Sequence, residues 1–272
     1  MLGEVMTETE HMTVEQTPAD IILKAVHLRK EFGGLVAIND LSFEVYAGEI
    51  LAIIGPNGAG KTTLFNLITG VHPLDGGEIY FRQHRLNGLK PHAIARLGLA
   101  RTFQNVHLFE NMTVLENVMV GRHLRSSYGF WEAALQVPWA AREEQEIRER
   151  AMAYLAQVGL ASHAATLAGN LPFGKQRVLE LARALASEPI CLLLDEPGAG
   201  LSRRETAELD NLIRRVRDEH GITVLLVEHD MDLVMGIADR VVVLNYGEKI
   251  AEGTPSQVQQ DERVIAAYLG TD

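Results

Sequence analysis

The run Gly55-Pro56-Asn57-Gly58-Ala59-Gly60-Lys61-Thr62-Thr63 has the residue types and the spacing to hold the phosphates of a nucleoside triphosphate. Its glycines allow backbone conformations closed to other residues, so successive N–H groups can turn inward onto phosphate oxygens. Lys61 supplies a cation for the terminal phosphates, and the Thr62 hydroxyl is a ligand for Mg2+. Two further segments end in groups that such chemistry needs. The apolar run Cys191-Leu192-Leu193-Leu194 leads into Asp195, suited to hold Mg2+, and Glu196, suited to act as the general base on an attacking water. The run Ile222-Thr223-Val224-Leu225-Leu226-Val227 leads into Glu228-His229-Asp230, which brings His229 to the same edge and within reach of a γ-phosphate.

These groups have to be placed by strands and helices. Ile50 to Ile54 reads as a buried strand before the loop, and Thr63 to Ile68 has helical spacing after it. A buried strand ending in an acid pair sets the carboxylates at the C-terminal edge of a sheet, where the phosphate loop also opens. Strands are read at Ile21–Val26, Leu41–Tyr46, Glu49–Ile54, Gly77–Phe81, Ile190–Asp195, Thr223–Glu228 and Arg240–Leu244. Alternation with helices predicts a mainly parallel α/β sheet, and the early strands without intervening helices predict an antiparallel flank. From about Pro91 to Gly169 helical patterns dominate; in Arg142 to Val158, Ile147, Met152, Leu155 and Val158 share one face. This stretch reads as a helical insertion in the core.

The first twenty residues are polar and aperiodic and predict a mobile tail ahead of a single domain over 21–270. Both tryptophans, Trp131 and Trp139, fall in one segment beside a charged helix. It reads either as a contact for a partner or a membrane interface, or as an internal helix packing its own aromatics.

Composition narrows the classes. Charged residues make up 22% and hydrophobic ones 47%, ordinary for a globular protein, and no run approaches the ~20 apolar residues of a membrane span. The formal net charge of −11 argues against nucleic acid as a partner and against adhesion to an anionic bilayer. Cys191 is the only cysteine, so no disulfide framework exists; a reducing compartment fits, and the thiol reads as a small buried apolar group.

On these motifs the chain resembles the ATP-binding subunits of ATP-binding cassette (ABC) transporters from Ile21 to Gly270. The resemblance implies a P-loop ATPase core with a mixed sheet, an antiparallel β subdomain and a helical subdomain at about 91–187. It also implies two cassettes closing head to tail, each ATP lying between one phosphate loop and the other copy's signature motif. Phe32 in Arg29-Lys30-Glu31-Phe32-Gly33 resembles the aromatic that stacks on adenine. Gln104 in Arg101-Thr102-Phe103-Gln104 resembles the glutamine that contacts Mg2+ and couples to the membrane subunit, and His229 resembles the switch histidine. Gly200-Leu201-Ser202 corresponds to the dimer-facing loop, with serine where aspartate is usual. The signature Leu-Ser-Gly-Gly-Gln is replaced by Leu171-Pro172-Phe173-Gly174-Lys175. Pro172 has neither the serine hydroxyl nor a backbone N–H, although proline suits a helix start; Gly174 keeps its amide, and Lys175 points either to nucleotide or to solvent.

Within that family, Phe32-Gly33-Gly34-Leu35-Val36-Ala37, Arg101-Thr102-Phe103-Gln104, Asn170-Leu171-Pro172-Phe173-Gly174-Lys175-Gln176-Arg177 and Ala267-Tyr268-Leu269-Gly270 resemble the branched-chain amino acid importer ATPases of the LivG type. The resemblance implies two membrane permeases and a second ATPase subunit or another copy as partners. It implies an external solute-binding protein and a place on the cytoplasmic face of the inner membrane. Importers of urea, amides or other amino acids are the nearest alternatives, and a soluble non-transport ABC ATPase is the more distant one. Pro172→Ser is expected to tighten the ATP-bound dimer, read by sizing chromatography or ultracentrifugation with ATP; unchanged or weaker dimerisation would count against a phosphate-facing role for this position.

Overall fold

The computed structural model describes residues 20–104, 106–122, 138–229 and 231–269. Strands β1 (Ile21–Phe32) and β2 (Leu35–Tyr46) form a long hairpin turned by Gly33-Gly34. Both glycines take positive φ, as a two-residue hairpin turn of type I′ requires. With β4 (Gly76–Phe81) and β5 (His84–Arg85) they make an antiparallel sheet in the order β2-β1-β4-β5.

The second sheet runs β10-β9-β3-β8-β7-β6, built from β3 (Ile50–Ile54), β6 (Leu99–Arg101), β7 (Cys191–Asp195), β8 (Thr223–Val227), β9 (Arg240–Asn245) and β10 (Glu248–Gly253). Strands β9, β3, β8, β7 and β6 are parallel, and β10 adds antiparallel at the edge. Every residue of β3, β7 and β8 is buried, which is why these strands read as continuous apolar runs rather than alternating ones.

Helices cover the sheet on both faces. On one face α1 (Lys61–Ile68) buries Leu64 and Phe65 with Leu51, Ile53 and the antiparallel-sheet residues Phe43 and Phe81. On the other, α6 (Arg203–His220) presents Leu209 and Ile213 to Leu192, Leu194 and Leu226. Its stripe of buried residues, Leu209, Leu212, Ile213 and Val216, has the three-and-four spacing of a helix with one apolar side. A third cluster joins α3 (Val114–Arg122), α4 (Pro138–Gln157) and α5 (Phe173–Leu185) through Val118, Leu155 and Leu179. The remaining helices are α2 (Pro91–Arg96), α7 (Met231–Ile237), α8 (Pro255–Gln259) and α9 (Glu262–Leu269).

The structure differs from the sequence reading at several borders. Strand β1 continues to Phe32 and β2 begins at Leu35, because bulges at Ala25–Leu28 and beyond break the alternation by which a strand is recognised. The span 91–187 contains β6, which pairs with β7 and joins the central sheet, so the packed helical cluster starts at Val114. Residues 1–19 of the expected tail and Trp131 lie outside the described residues, as does the side chain of Trp139.

One buried amide fixes the loop that leads into α3. Asn117 is fully enclosed; its side chain accepts from the Phe109 N–H at 2.9 Å and donates to the carbonyls of Phe109 and Thr113, both at 3.0 Å. Alanine would strand those backbone groups without water, so Asn117→Ala is expected to cost about 2 kcal/mol. A lowered urea midpoint with unchanged slope would show it.

Candidate active site

The phosphate loop passes from β3 to α1 under steric constraints that only glycine meets. Gly55 has φ +152°, and a Cβ there would stand 2.1 Å from the Leu244 carbonyl oxygen; at Gly60, with φ +103°, it would stand 2.6 Å from that of Ala37. The loop is also tied outward: the Gly247 N–H donates to the Ala59 carbonyl at 3.0 Å, and the Gly55 backbone donates to the Tyr268 hydroxyl of α9. Lys61 is buried, and its ammonium donates to the carbonyls of Gly55 at 2.6 Å and Pro56 at 3.1 Å. Burial holds the Lys61 pKa below its ordinary value, against the opposing pull of the Glu196 and Asp195 charges.

A cleft of about 490 Å³ opens over this loop. Phe32, the loop residues Asn57 to Thr63, Gln104, Glu196 and Tyr246 line it, so five separate segments meet there. Gln104 donates from Nε2 to Glu196 Oε2 at 2.7 Å, and His229 Nδ1 stands 3.7 Å from the same oxygen. Glu196 sits just past β7 at φ +46°, and its N–H returns to the Val227 carbonyl at 2.9 Å, which turns the side chain out at the strand end. His229 lies just past β8, more than half exposed. Behind them Asp195 is buried and ion-paired to Arg101 at 2.7 Å. Burial raises the Asp195 pKa, and Arg101 opposes the rise.

The oxygen donors Thr62, Asp195 and Gln104 suit a small hard cation. Among the described residues no group of three or more His, Cys, Asp or Glu side chains could form an all-protein metal cage. That donor set fits Mg2+, which takes few carboxylates and completes its shell with water and phosphate oxygens.

The signature residues stand apart from this cleft. None of Pro172, Phe173, Gly174 or Lys175 lines it. Pro172 is the N-cap of α5, in extended conformation, with Phe173 exposed after it. Gly174 packs so closely on Glu205 that a Cβ would meet its Oε1 at 2.3 Å. Lys175 Nζ lies 2.7 Å from His163 Nε2, a contact between exposed side chains. Ser202 is also explained locally: it caps α6 in a reciprocal capping box with Glu205.

Sequence reading missed three contributors. Arg177 of α5 donates to the carbonyls of Phe103 at 3.1 Å and Gln104 at 2.5 Å. Arg101 holds Asp195, and Tyr246 of the β9–β10 turn lines the cleft beside Phe32. Arg101 and Arg177 stood next to recognisable motifs, but a basic residue carries no signal of what it pairs with. Cys191 is fully buried in β7 and its thiol is pushed up to about 12, consistent with an inert packing role.

Comparison with known proteins agrees with this geometry. A family model described as ABC transporter matches residues 38–199, and one described as branched-chain amino acid ATP-binding cassette transporter matches residues 248–272. The chain is 48% identical to the high-affinity branched-chain amino acid transport ATP-binding protein LivG of Escherichia coli, over 92% of this chain and 98% of that protein. It is 46% identical to BraF of Pseudomonas aeruginosa, with the same coverage. Among solved structures, a nucleotide-free ATP-binding cassette from an ABC transporter superposes with a TM-score of 0.81 at 32% identity, covering 93% of this chain and all of that one. The ADP conformation of the cassette MJ1267 gives the same values. Matches of this extent establish that the chain belongs to the ABC transporter family, as one of its ATP-binding proteins.

Proposed function

We propose that this chain binds ATP with Mg2+ in the cleft over residues 55–63, hydrolyses it, and so energises an importer of branched-chain amino acids. The observation that carries the catalytic reading is the meeting of the phosphate loop, Gln104 and Glu196 in one cleft, with His229 3.7 Å from the Glu196 carboxylate. The solute class rests on the relatives LivG and BraF and on the family match at residues 248–272.

The chemistry follows from the placement. Phe32 offers an aromatic face to the base, and the loop amides with Lys61 hold the phosphates. Bound Mg2+, ligated by Thr62, Asp195 and Gln104, would neutralise charge on the β- and γ-phosphates. Glu196 takes a proton as a water oxygen attacks the γ-phosphorus; the bond to the bridging oxygen breaks and the electrons leave with ADP. His229 donates toward the γ-phosphate from the neighbouring strand end. Gln104 links Glu196 to the segment that enters the helical cluster, so its position depends on both.

Two copies, or this chain and a paralogue, would complete each site by bringing Pro172 to Lys175 of one cassette over the phosphates of the other. A structurally similar cassette, MJ0796, has been captured as a dimer with ADP and Pi at 25% identity. A second cleft of about 660 Å³, walled by Phe103, Phe109 and Val71, adjoins the Gln104 segment. Its apolar lining and its position between core and helical cluster suit a cytoplasmic helix of a membrane permease. No helix among the described residues is long and apolar enough to cross a membrane.

Glu196→Gln is expected to keep ATP binding and to slow hydrolysis at least ~100-fold, the lower range for loss of a general base; single-turnover ATPase assays near the wild-type rate would refute the assignment. The transport reading is tested by mild-detergent purification of the protein from native membranes. Two multi-spanning permeases and a second ATPase are expected alongside it, and the permeases then identify the solute, branched-chain amino acid against urea, amide or another amino acid. Recovery in the soluble fraction with ribosomes or assembly factors would overturn it.

A further inference from the structure

The side chain of Arg101 is almost wholly enclosed, 6% exposed, at the end of β6. Its two terminal nitrogens serve different segments. Nη2 donates to Asp195 Oδ2 at 2.7 Å; Nη1 donates to Asn66 Oδ1 at 2.7 Å and to Thr69 Oγ1 at 3.2 Å, both on or just past the phosphate-loop helix α1. The guanidinium carbon lies 5.5 Å from the ring centre of Phe65 on α1 and 4.9 Å from that of Phe103, next to Gln104. Nε is buried without a hydrogen-bond partner among the described residues. One guanidinium thus touches the phosphate-loop helix, the acid at the end of β7 and the Gln104 segment.

A buried ion pair is poor evidence for stability, because an apolar side chain of similar volume often serves as well. Stability therefore does not account for a charge kept here at the expense of an unsatisfied Nε. What an arginine fork does, and an apolar chain cannot, is fix the plane of a carboxylate while bridging to other acceptors. We propose that Arg101 is a positioning residue for ATP hydrolysis: by holding Oδ2 of Asp195 it orients that carboxylate toward the divalent cation, and by bracing Phe103 against α1 it sets the Gln104 segment. The inference rests on the ATPase reading above. Residues that orient metal ligands from behind alter metal affinity or activity about 10–100-fold when replaced.

The test compares the wild-type chain with Arg101→Met and Arg101→Lys by two readouts. One is equilibrium binding of a fluorescent ATP analogue, first in EDTA and then along a Mg2+ titration; the other is steady-state kcat and KM. Arg101→Met is expected to bind the analogue in EDTA as the wild type does, within about threefold, because the loop amides and Lys61 are intact. Its half-saturating Mg2+ concentration is expected to rise, and its kcat to fall, by about 10–100-fold. Arg101→Lys, which keeps the charge and loses the fork, is expected between the two. In an Asp195→Asn background the Met substitution should add less than about threefold, since it acts through that carboxylate. If Arg101→Met fails to fold, Arg101→Lys carries the test on the same readouts. A variant with lowered thermal stability but wild-type Mg2+ dependence and kcat would reduce Arg101 to a packing residue and overturn the inference. A wild type that gains no affinity from Mg2+ and hydrolyses nothing would overturn the ATPase reading along with it.

Discussion

In the central sheet Ile53 of β3 lies opposite Val227 of β8, and Val227 lies opposite Asp195 of β7, so three parallel strands end level with one another. Because parallel strands all point the same way, whatever follows them emerges on one edge. Gly55 and Glu196 follow β3 and β7 directly, and His229 comes after Glu228 at the end of β8. A slip of one residue in either pairing would turn alternate side chains to the opposite face and move Glu196, which lines the cleft, out of place. The register is held by complete burial of all three strands, since any slip would face the apolar layers of both sides at once. The antiparallel sheet then sets the other wall: the β1–β2 hairpin carries Phe32, and its Ala37 carbonyl closes on Gly60.

The two ends of this sheet carry the same kind of buried pair to different effect. At the start of β3, Glu49 is held by Arg240 at 3.0 Å and by the Tyr46 N–H at 2.7 Å, with its pKa raised by burial. At the end of β7, Asp195 is held by Arg101. The first pair joins β9 to the hairpin and adjoins no cleft around the phosphate loop; the second adjoins the loop, the Gln104 segment and the helix α1. Local chemistry is alike at both places, and only topology separates a structural clamp from a group poised at a reaction site.

The phosphate loop, the acid pair and the histidine were legible because each lies within a few residues of an apolar run that announces a buried strand. Local chemistry and element order coincide there. Legibility failed where a feature depends on residues distant in sequence. Leu99–Arg101 is too short to show a period, and it is a strand because β7 offers it an open edge. The outer half of β1 was hidden by its bulges, with His27 at φ +49°. The displaced serine of the signature and the serine of the dimer-facing loop looked like departures from a pattern. In three dimensions Pro172 and Ser202 are each the N-cap of a helix; the Ser202 hydroxyl caps its helix in a box with Glu205, whereas Pro172 makes no side-chain cap bond. The partners of Arg101 and Arg177 lie 94 and 73 residues away respectively, beyond any local reading.

Arg177 belongs to the first turns of α5, yet its fork grips two consecutive carbonyls, those of Phe103 and Gln104, while its own guanidinium packs on the ring of Phe173. The helix that begins at the signature and the backbone that carries Gln104 are therefore buckled together. Any rotation of the helical cluster against the sheet must stretch two charge-assisted hydrogen bonds or drag the Gln104 backbone along with it. Mechanical information then crosses between the two lobes over the length of a single side chain, and a tug at either lobe reaches the Glu196 carboxylate through one further amide.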